Sequence, residues 1–96
     1  MNMHAEASRK RPLSRTRPVV AGLSGAVATA HPLASLVGFD LLRKGGNAID
    51  AVVGAAVALG VVEPYMSGVG GVGFLLWHPA GGETRVLNFG GNAPAR

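Results

Sequence analysis

Hydroxyl side chains are the groups in this sequence that could act as nucleophiles. A serine or threonine becomes reactive when a neighbouring base accepts its proton. None of them lies in a G-x-S-x-G turn, and none has a base at a characteristic spacing. We therefore predict no catalytic residue within these 96 residues, and we interpret the serine beside the glycine-rich run as a turn residue. The hydroxyl candidates by type are Ser24, Thr29, Ser35, Ser67 and Thr84.

Imidazole and carboxylate groups could bind metals or transfer protons. His4, His31 and His78 are far apart and lack metal-ligand spacing, and the chain has no cysteine. We therefore predict no metal site and no disulfide. His31 precedes a proline and is interpreted as a helix-start residue, while Asp50 and Glu63 are interpreted as residues that begin and end a helix.

Glycines at positions 68, 70 and 73 match a loose G-x-G-x-x-G pattern. Dinucleotide binding requires a strand before such a loop and a helix after it, so that the helix N-terminus meets the pyrophosphate. Here the predicted order is the reverse, with a helix before and a strand after. We interpret these glycines as letting the backbone pass close to neighbouring elements, and we expect no cofactor.

The run RKGGNAIDA, Arg43–Ala51, predicts a corner between two helices. Gly45 or Gly46 can take the left-handed conformation that ends a helix. Asn47 is a good N-cap, and Asp50 lies three residues further on, where its carboxylate can accept a bond from a free backbone N–H. The two charges at the start of the run suit a helix C-terminus.

Two helices flank this corner. The first begins at His31-Pro32, and Gly38 within it predicts a close-packed neighbour that compensates for a loss of about 1 kcal/mol relative to alanine. The second runs from about Ala48 to Val62, and its last 12 residues are all apolar or glycine. That length is well short of the roughly 20 residues that span a bilayer, so we predict a buried helix and no membrane span. Little else in the chain could cover such a helix, so we expect the chain to be a piece of a larger fold.

Three short strands complete the prediction. Gly25–Ala30 is expected to form the first, and Val72–His78 and Thr84–Phe89 an antiparallel hairpin with a loop of about five residues. The predicted order is β-α-α-β-β, which defines an α+β fold class. Neither a doubly wound unit nor a repeat array has this order.

Basic residues are concentrated at the start of the chain. Five of the nine lysines and arginines lie within residues 1–17, and the rest of the chain is neutral. We predict a disordered basic tail over 1–17. No aromatic residue is interleaved with these charges, so nucleic-acid binding is not expected, although a non-enzymatic module with a nucleic-acid-binding tail is the competing hypothesis.

The compartment is not determined by the sequence. Residues 1–30 share features with a secretory signal, because a basic region precedes the small apolar run 19–28 and Ala28-Thr29-Ala30 fits a cleavage pattern. The glycines and the single leucine of that run favour a strand instead. We therefore favour the cytoplasm, with periplasmic export or secretion as the alternative.

Four segments occur in order at close spacing. Together they resemble the N-terminal part of the gamma-glutamyltransferase (gamma-glutamyl transpeptidase) family, over roughly residues 19–95. Each segment alone is weak, and the combination is specific. The segments are HPLAS at 31–35, LLRKGGNAIDA at 41–51, ALGVVEP at 58–64 and SGVGGVGF at 67–74.

The resemblance implies an N-terminal nucleophile (Ntn) hydrolase with an αββα sandwich. Precursors of this family cleave themselves, and a threonine then heads the small subunit, attacks the substrate amide and forms an acyl-enzyme. That threonine lies far downstream in the family. Residues 18–96 are thus expected to be an N-terminal fragment of the large subunit, inactive alone. The implied partners are the remainder of the large subunit, the small subunit and a small amide substrate such as glutathione.

The resemblance also implies a motif like D-x-R-E-x-A-P after the hairpin, whose arginine holds the substrate α-carboxylate. The matching segment here is 88–94, where Gly90 replaces the arginine and Gly91 the glutamate. Arg85 and Arg96 are nearby but not at the motif position. No substrate-binding residue is therefore assigned in this chain. Relatives with other acyl substrates, such as cephalosporin-acylase-like or oxamate-amidohydrolase-like members, are the alternative.

Overall fold

The computed structural model describes residues 18–95. It contains two helices followed by two strands: α1 (Pro32–Arg43), α2 (Ala48–Val62), β1 (Phe74–Trp77) and β2 (Arg85–Asn88). The strands form an antiparallel hairpin, in which Phe74 pairs with Asn88 and Trp77 with Arg85. The predicted hairpin is thereby confirmed, with each strand shorter at both ends than the sequence suggested. The basic segment 1–17 lies outside the described residues.

The corner between the helices has the predicted capping chemistry. Gly45 has φ +94°, in the left-handed region that glycine tolerates. The side chain of Asn47 accepts a bond from the Asp50 amide, and the Asp50 carboxylate accepts one from the Asn47 amide, both at 2.9 Å. This capping box fixes the start of α2 at Ala48, as predicted.

Small residues form the contact between α1 and α2. Ala34, Ala51 and Ala55 are the buried hydrophobic residues of the described chain, each no more than 5% exposed. Gly38 is buried with them, and a Cβ built on it would lie 3.6 Å from the Ala55 Cβ. On the other helix, a Cβ on Gly54 would overlap the Leu41 side chain. The close neighbour predicted for Gly38 is therefore present.

The predicted first strand, Gly25–Ala30, is wrong for this chain. The segment has neither helix nor strand and packs along α1 instead. Gly25 lies near Leu42, and Val27 lies against Gly38. A strand exists only where a neighbouring strand pairs with its backbone, and within residues 18–95 only β1 and β2 pair. The described order is therefore α-α-β-β.

Large apolar side chains remain exposed on both structural units. On α2, Val57 is 58% exposed and Val61 is 77% exposed. The hairpin is apolar on both faces, because Leu75 and Leu87 pair on one face and Leu76 and Val86 on the other. A sheet that is apolar on both faces has to be covered on both. The described chain is thus an incomplete α+β piece that lacks the layers on either side.

Within residues 18–95, no helix is both long and apolar enough to cross a membrane.

Candidate functional site

The glycine-rich loop lies against α2 at one end and against β2 at the other. A Cβ on Gly60 of α2 would lie 3.6 Å from the Cα of Gly68 in the loop. At the other end, the Phe89 amide donates to the Gly73 carbonyl at 3.1 Å, and a Cβ on Gly73 would lie 2.7 Å from the Phe89 ring. A Cβ at Gly73 would thus overlap the Phe89 ring, which supports the close approach predicted for this glycine, whereas the distance at Gly60 is an ordinary van der Waals contact.

This arrangement produces an apolar groove of about 730 Å³. Its floor is α2, one wall is the glycine-rich loop, and Phe89 closes the end next to β2. The segment that follows Phe89 is the one in which the sequence analysis placed a substrate-binding position. The groove and this segment are therefore adjacent parts of one surface.

Gly90 is held by a local turn. Its amide donates to the Asn88 side-chain oxygen at 2.8 Å, and both residues are exposed. Gly90 is not among the glycines with positive φ, so its backbone conformation is open to other residues. A Cβ on Gly90 would lie 3.0 Å from the Asn88 Oδ1, and one on Gly91 would lie 3.9 Å from Val72. The backbone conformation thus admits a side chain at position 90 once the Asn88 side chain moves by a few tenths of an ångström, and position 91 has room for one. The two glycines leave this segment without the charged side chains of the motif.

Arg85 does not take the place of a side chain at position 90. The Arg85 guanidinium lies 5.7 Å from the centre of the Trp77 ring, at the turn end of the hairpin. Asn88 is at the opposite end of β2, roughly 10 Å away at about 3.3 Å per strand residue. Arg96 lies outside the described residues.

Two of the hydroxyl candidates, Thr29 and Ser35, form local side-chain contacts. Thr29 donates to the His31 carbonyl at 2.7 Å, and its oxygen lies 2.7 Å from that of Ser35. Ser67 lies in the turn after α2, where its amide donates to the Glu63 carbonyl at 3.1 Å, as expected of a turn residue. These contacts join the lead-in segment to α1 and close the turn, and no base contacts Ser35 or Ser67 within the described residues.

One hydroxyl–imidazole pair was missed by the sequence analysis. His78 Nδ1 lies 3.0 Å from the Thr84 hydroxyl, across the turn end of the hairpin. Alignment of the two strands in register could have found it, because Trp77 pairs with Arg85 directly beside it. Both side chains are exposed and lie outside the groove. The contact therefore links the ends of the two strands, and we do not interpret Thr84 as an activated nucleophile.

His31 is the N-cap of α1, as predicted. Its Nδ1 accepts a bond from the Leu33 amide at 3.1 Å. No group of three or more residues that could hold a metal ion occurs among residues 18–95.

The fold belongs to a known structural class. The crystal structure of Helicobacter pylori gamma-glutamyltranspeptidase superimposes with a TM-score of 0.66 at 43% identity, over 72% of this chain and 20% of that one. The described elements are thus an incomplete piece of an Ntn hydrolase, which confirms the predicted fold class.

Sequence comparison identifies the family. A family model described as gamma-glutamyltranspeptidase matches residues 34–96, and the chain belongs to that family. The glutathione hydrolase proenzyme of Bacillus subtilis (strain 168) is 50% identical over 95 residues, which are 96% of this chain and 16% of that protein. The oxamate amidohydrolase proenzyme of Klebsiella pneumoniae is 44% identical over 69 residues, 72% of this chain and 13% of that protein. This chain therefore spans about one sixth of the length of the relative from Bacillus subtilis.

Proposed function

We propose that this chain is the N-terminal part of the large subunit of a self-processing amidase or acyltransferase. The observation that supports this most strongly is its match to about one sixth of a glutathione hydrolase proenzyme, at 50% identity. In this proposal the chain supplies scaffold, and the nucleophilic threonine comes from the remainder of the precursor. The chain alone is inactive in this proposal, because within residues 18–95 no hydroxyl group both contacts a base and lies in an enclosed site.

The partners in this proposal are the rest of the large subunit and the small subunit. The exposed valines of α2 and the two apolar faces of the hairpin are the surfaces that these layers would cover. Burial of apolar surface contributes roughly 25 cal/mol per Å², so association with the remaining layers would be strongly favoured.

The substrate is proposed to be a small amide, with the acyl group as the open question. The family resemblance implies that members acting on gamma-glutamyl compounds use an arginine at the position where this chain has Gly90. Without that guanidinium, the α-carboxylate of a gamma-glutamyl group loses its charged partner. We therefore expect poor hydrolysis of simple gamma-glutamyl amides. The similarity to an oxamate amidohydrolase supports a different acyl group as the second candidate.

A chimera tests the scaffold role of this chain, and the isolated chain tests its predicted inactivity. In the host chimera, this chain replaces the 95 aligned residues of the Bacillus subtilis proenzyme. We expect the chimera to cleave itself into two subunits, since the scaffold is compatible. A chimera that folds but never processes would contradict the scaffold role. The chain alone, assayed with gamma-glutamyl-p-nitroanilide, should release no nitroaniline, and release would contradict its predicted inactivity.

The predicted loss of gamma-glutamyl hydrolysis is tested by placing an arginine at position 90. Because a hydrogen bond to a charged group contributes about 1.5–3 kcal/mol, we expect the chimera to hydrolyse gamma-glutamyl-p-nitroanilide about 10- to 100-fold less efficiently than the Bacillus subtilis enzyme. Gly90→Arg should recover much of that loss in kcat/KM, because the backbone at 90 accepts a side chain. Gly90→Met is the matched control, since it adds similar length without charge. Full activity in the unsubstituted chimera would refute the prediction.

A further inference from the structure

One segment of the described chain is extended like a strand but has no strand beside it. Gly25–Ala30 runs back along α1, so that Gly25 lies near Leu42 and the Thr29 hydroxyl contacts that of Ser35. Four residues of the segment thus advance along seven residues of α1, which is roughly 10 Å at about 1.5 Å per helical residue. Four extended residues cover about 13 Å and four helical ones about 6 Å, so the segment is extended.

Burial alternates along this segment. Val27 and Thr29 are half-buried on the side of α1, where Val27 lies against Gly38. The alanines between and after them are exposed, namely Ala26, Ala28 and Ala30. A period of two is the pattern of a strand that rests on a helix layer with one face and directs the other face away from it.

The backbone of the segment is unpaired at both edges. Among residues 18–95, no backbone N–H or C=O group of Gly25–Ala30 is hydrogen-bonded to another backbone group. Backbone groups that become buried in a complete fold are almost always paired, and an extended segment pairs them with a neighbouring strand. An open edge of this kind is a template for such a strand.

The hairpin lies on another side of α2 and does not supply this strand. The segment borders a cleft of about 210 Å³, whose α2 residues are Ala48, Ala51, Val52 and Ala55. The groove that ends at Phe89 contacts a different set on α2, namely Val53, Ala56, Val57 and Gly60. The two sets are offset by five residues, which is about 140° around the helix. A partner strand for the segment therefore has to come from outside residues 18–95.

We propose that Gly25–Ala30 is a pairing edge that receives a β-strand from the remainder of the precursor through backbone hydrogen bonds. This rests on the proposed function in that the partner belongs to the same precursor. The segment is already positioned for pairing, because Val27 packs against Gly38 and the Thr29 hydroxyl donates to the His31 carbonyl at 2.7 Å. The chain covers 16% of the relative from Bacillus subtilis, so most of the precursor remains to supply the strand.

Residue-resolved hydrogen–deuterium exchange tests this in the full 96-residue chain and in the host chimera. In the chain alone, the amides of residues 25–30 should exchange at close to their intrinsic rates. In the chimera, every second amide of the segment or all of them should exchange at least about tenfold more slowly, since a paired strand opens only with its sheet. Protection of the α2 amides verifies that each sample is folded.

Proline substitutions distinguish pairing from simple coverage. Residues 28 and 29 direct their N–H groups to opposite edges, so at least one of Ala28→Pro and Thr29→Pro should remove a hydrogen bond to the partner strand. That variant should lower the protection of the remaining amides in the segment at least about fivefold below its matched control. The controls are Ala28→Val and Thr29→Val, which change the side chain equally early but keep the N–H.

Three results would overturn the proposal. The first is a folded chimera in which the amides of 25–30 stay unprotected, which leaves the proposed function standing if the chimera still processes itself. The second is protection already present in the chain alone, which would assign the partner to the hairpin if it is independent of concentration and to a second copy if it is not. The third is equal protection in each proline variant and its valine control. Conversely, a chimera that is protected at 25–30 but never processes supports the pairing edge and contradicts the scaffold role.

Discussion

A methyl group placed on Gly38 of α1 would lie 3.3 Å from the carbonyl oxygen of Ala51 in α2. It would also lie 2.9 Å from the Val27 Cγ1 atom of the lead-in segment. The backbone of α2 and a β-branched side chain therefore enclose this position from two sides. The closeness of the two helices depends on the absence of a side chain at 38.

The first prediction concerns this contact. Gly38→Ala should destabilise the α1–α2 pair by about 1 kcal/mol or more, because overpacking costs about 1–3 kcal/mol and exceeds the gain in helix propensity. Hydrogen exchange of α1 and α2 amides in the host chimera measures the local opening free energy. Gly60→Ala is the matched control, since its Cβ would meet the loop at an ordinary 3.6 Å. It should be neutral or stabilising, and equal effects of the two substitutions would contradict the packing argument.

The second prediction concerns the left-handed glycine at the corner. Gly45→Ala should cost about 1–2 kcal/mol, because φ is +94° there and an L side chain is strained in that region. Gly45→Asn should cost less, since asparagine visits this conformation more readily. Gly68→Ala is the control, because a Cβ there meets nothing within 4 Å and φ is not positive. The same exchange measurement on residues 41–50 distinguishes them, and a harmless Gly45→Ala would refute the assignment.

The third prediction concerns the capping box. Asn47→Ala should destabilise the start of α2 by about 1 kcal/mol, since it leaves the Asp50 amide without its acceptor. Asp50→Ala removes the reciprocal bond, and the double variant should cost less than the sum of the two single losses. Asn92→Ala, an exposed asparagine outside the helices, serves as control. Strictly additive losses would show that the two bonds act independently.

The fourth prediction concerns the exposed face of α2. Val57→Lys should increase the solubility of the chain alone, because Val57 is 58% exposed there. In the host chimera the same change should prevent folding or self-processing, because it would bury an unpaired charge. Ala80→Lys, in the exposed hairpin turn, should be tolerated in both settings. A Val57→Lys chimera that processes normally would show that this face is not covered in the complete fold.

Contacts between residues close in sequence were predictable from the sequence, whereas the geometry of the candidate functional site largely was not. The bounds of α2 follow from Asn47 and Glu63, and the hairpin follows from alternating apolar runs around a turn. The position of Gly90 came from the motif resemblance, but only the structure shows that its backbone accepts other residues. The His78–Thr84 contact was missed because it depends on strand register, which joins residues six apart.

The sequence by itself determined the helix ends, a left-handed glycine at 45 or 46 and the family, because capping, backbone conformation and motif order are local properties of the chain. Only the structure assigned the left-handed conformation to Gly45. The tertiary structure alone decided that Gly25–Ala30 lies along α1 without forming a strand, and that the close neighbours of Gly38 are Val27 and the Ala51 carbonyl. A strand needs a partner, and a buried glycine needs a neighbour. Both are supplied from elsewhere in the fold, so the identity of the partner or neighbour cannot be predicted from the residues concerned.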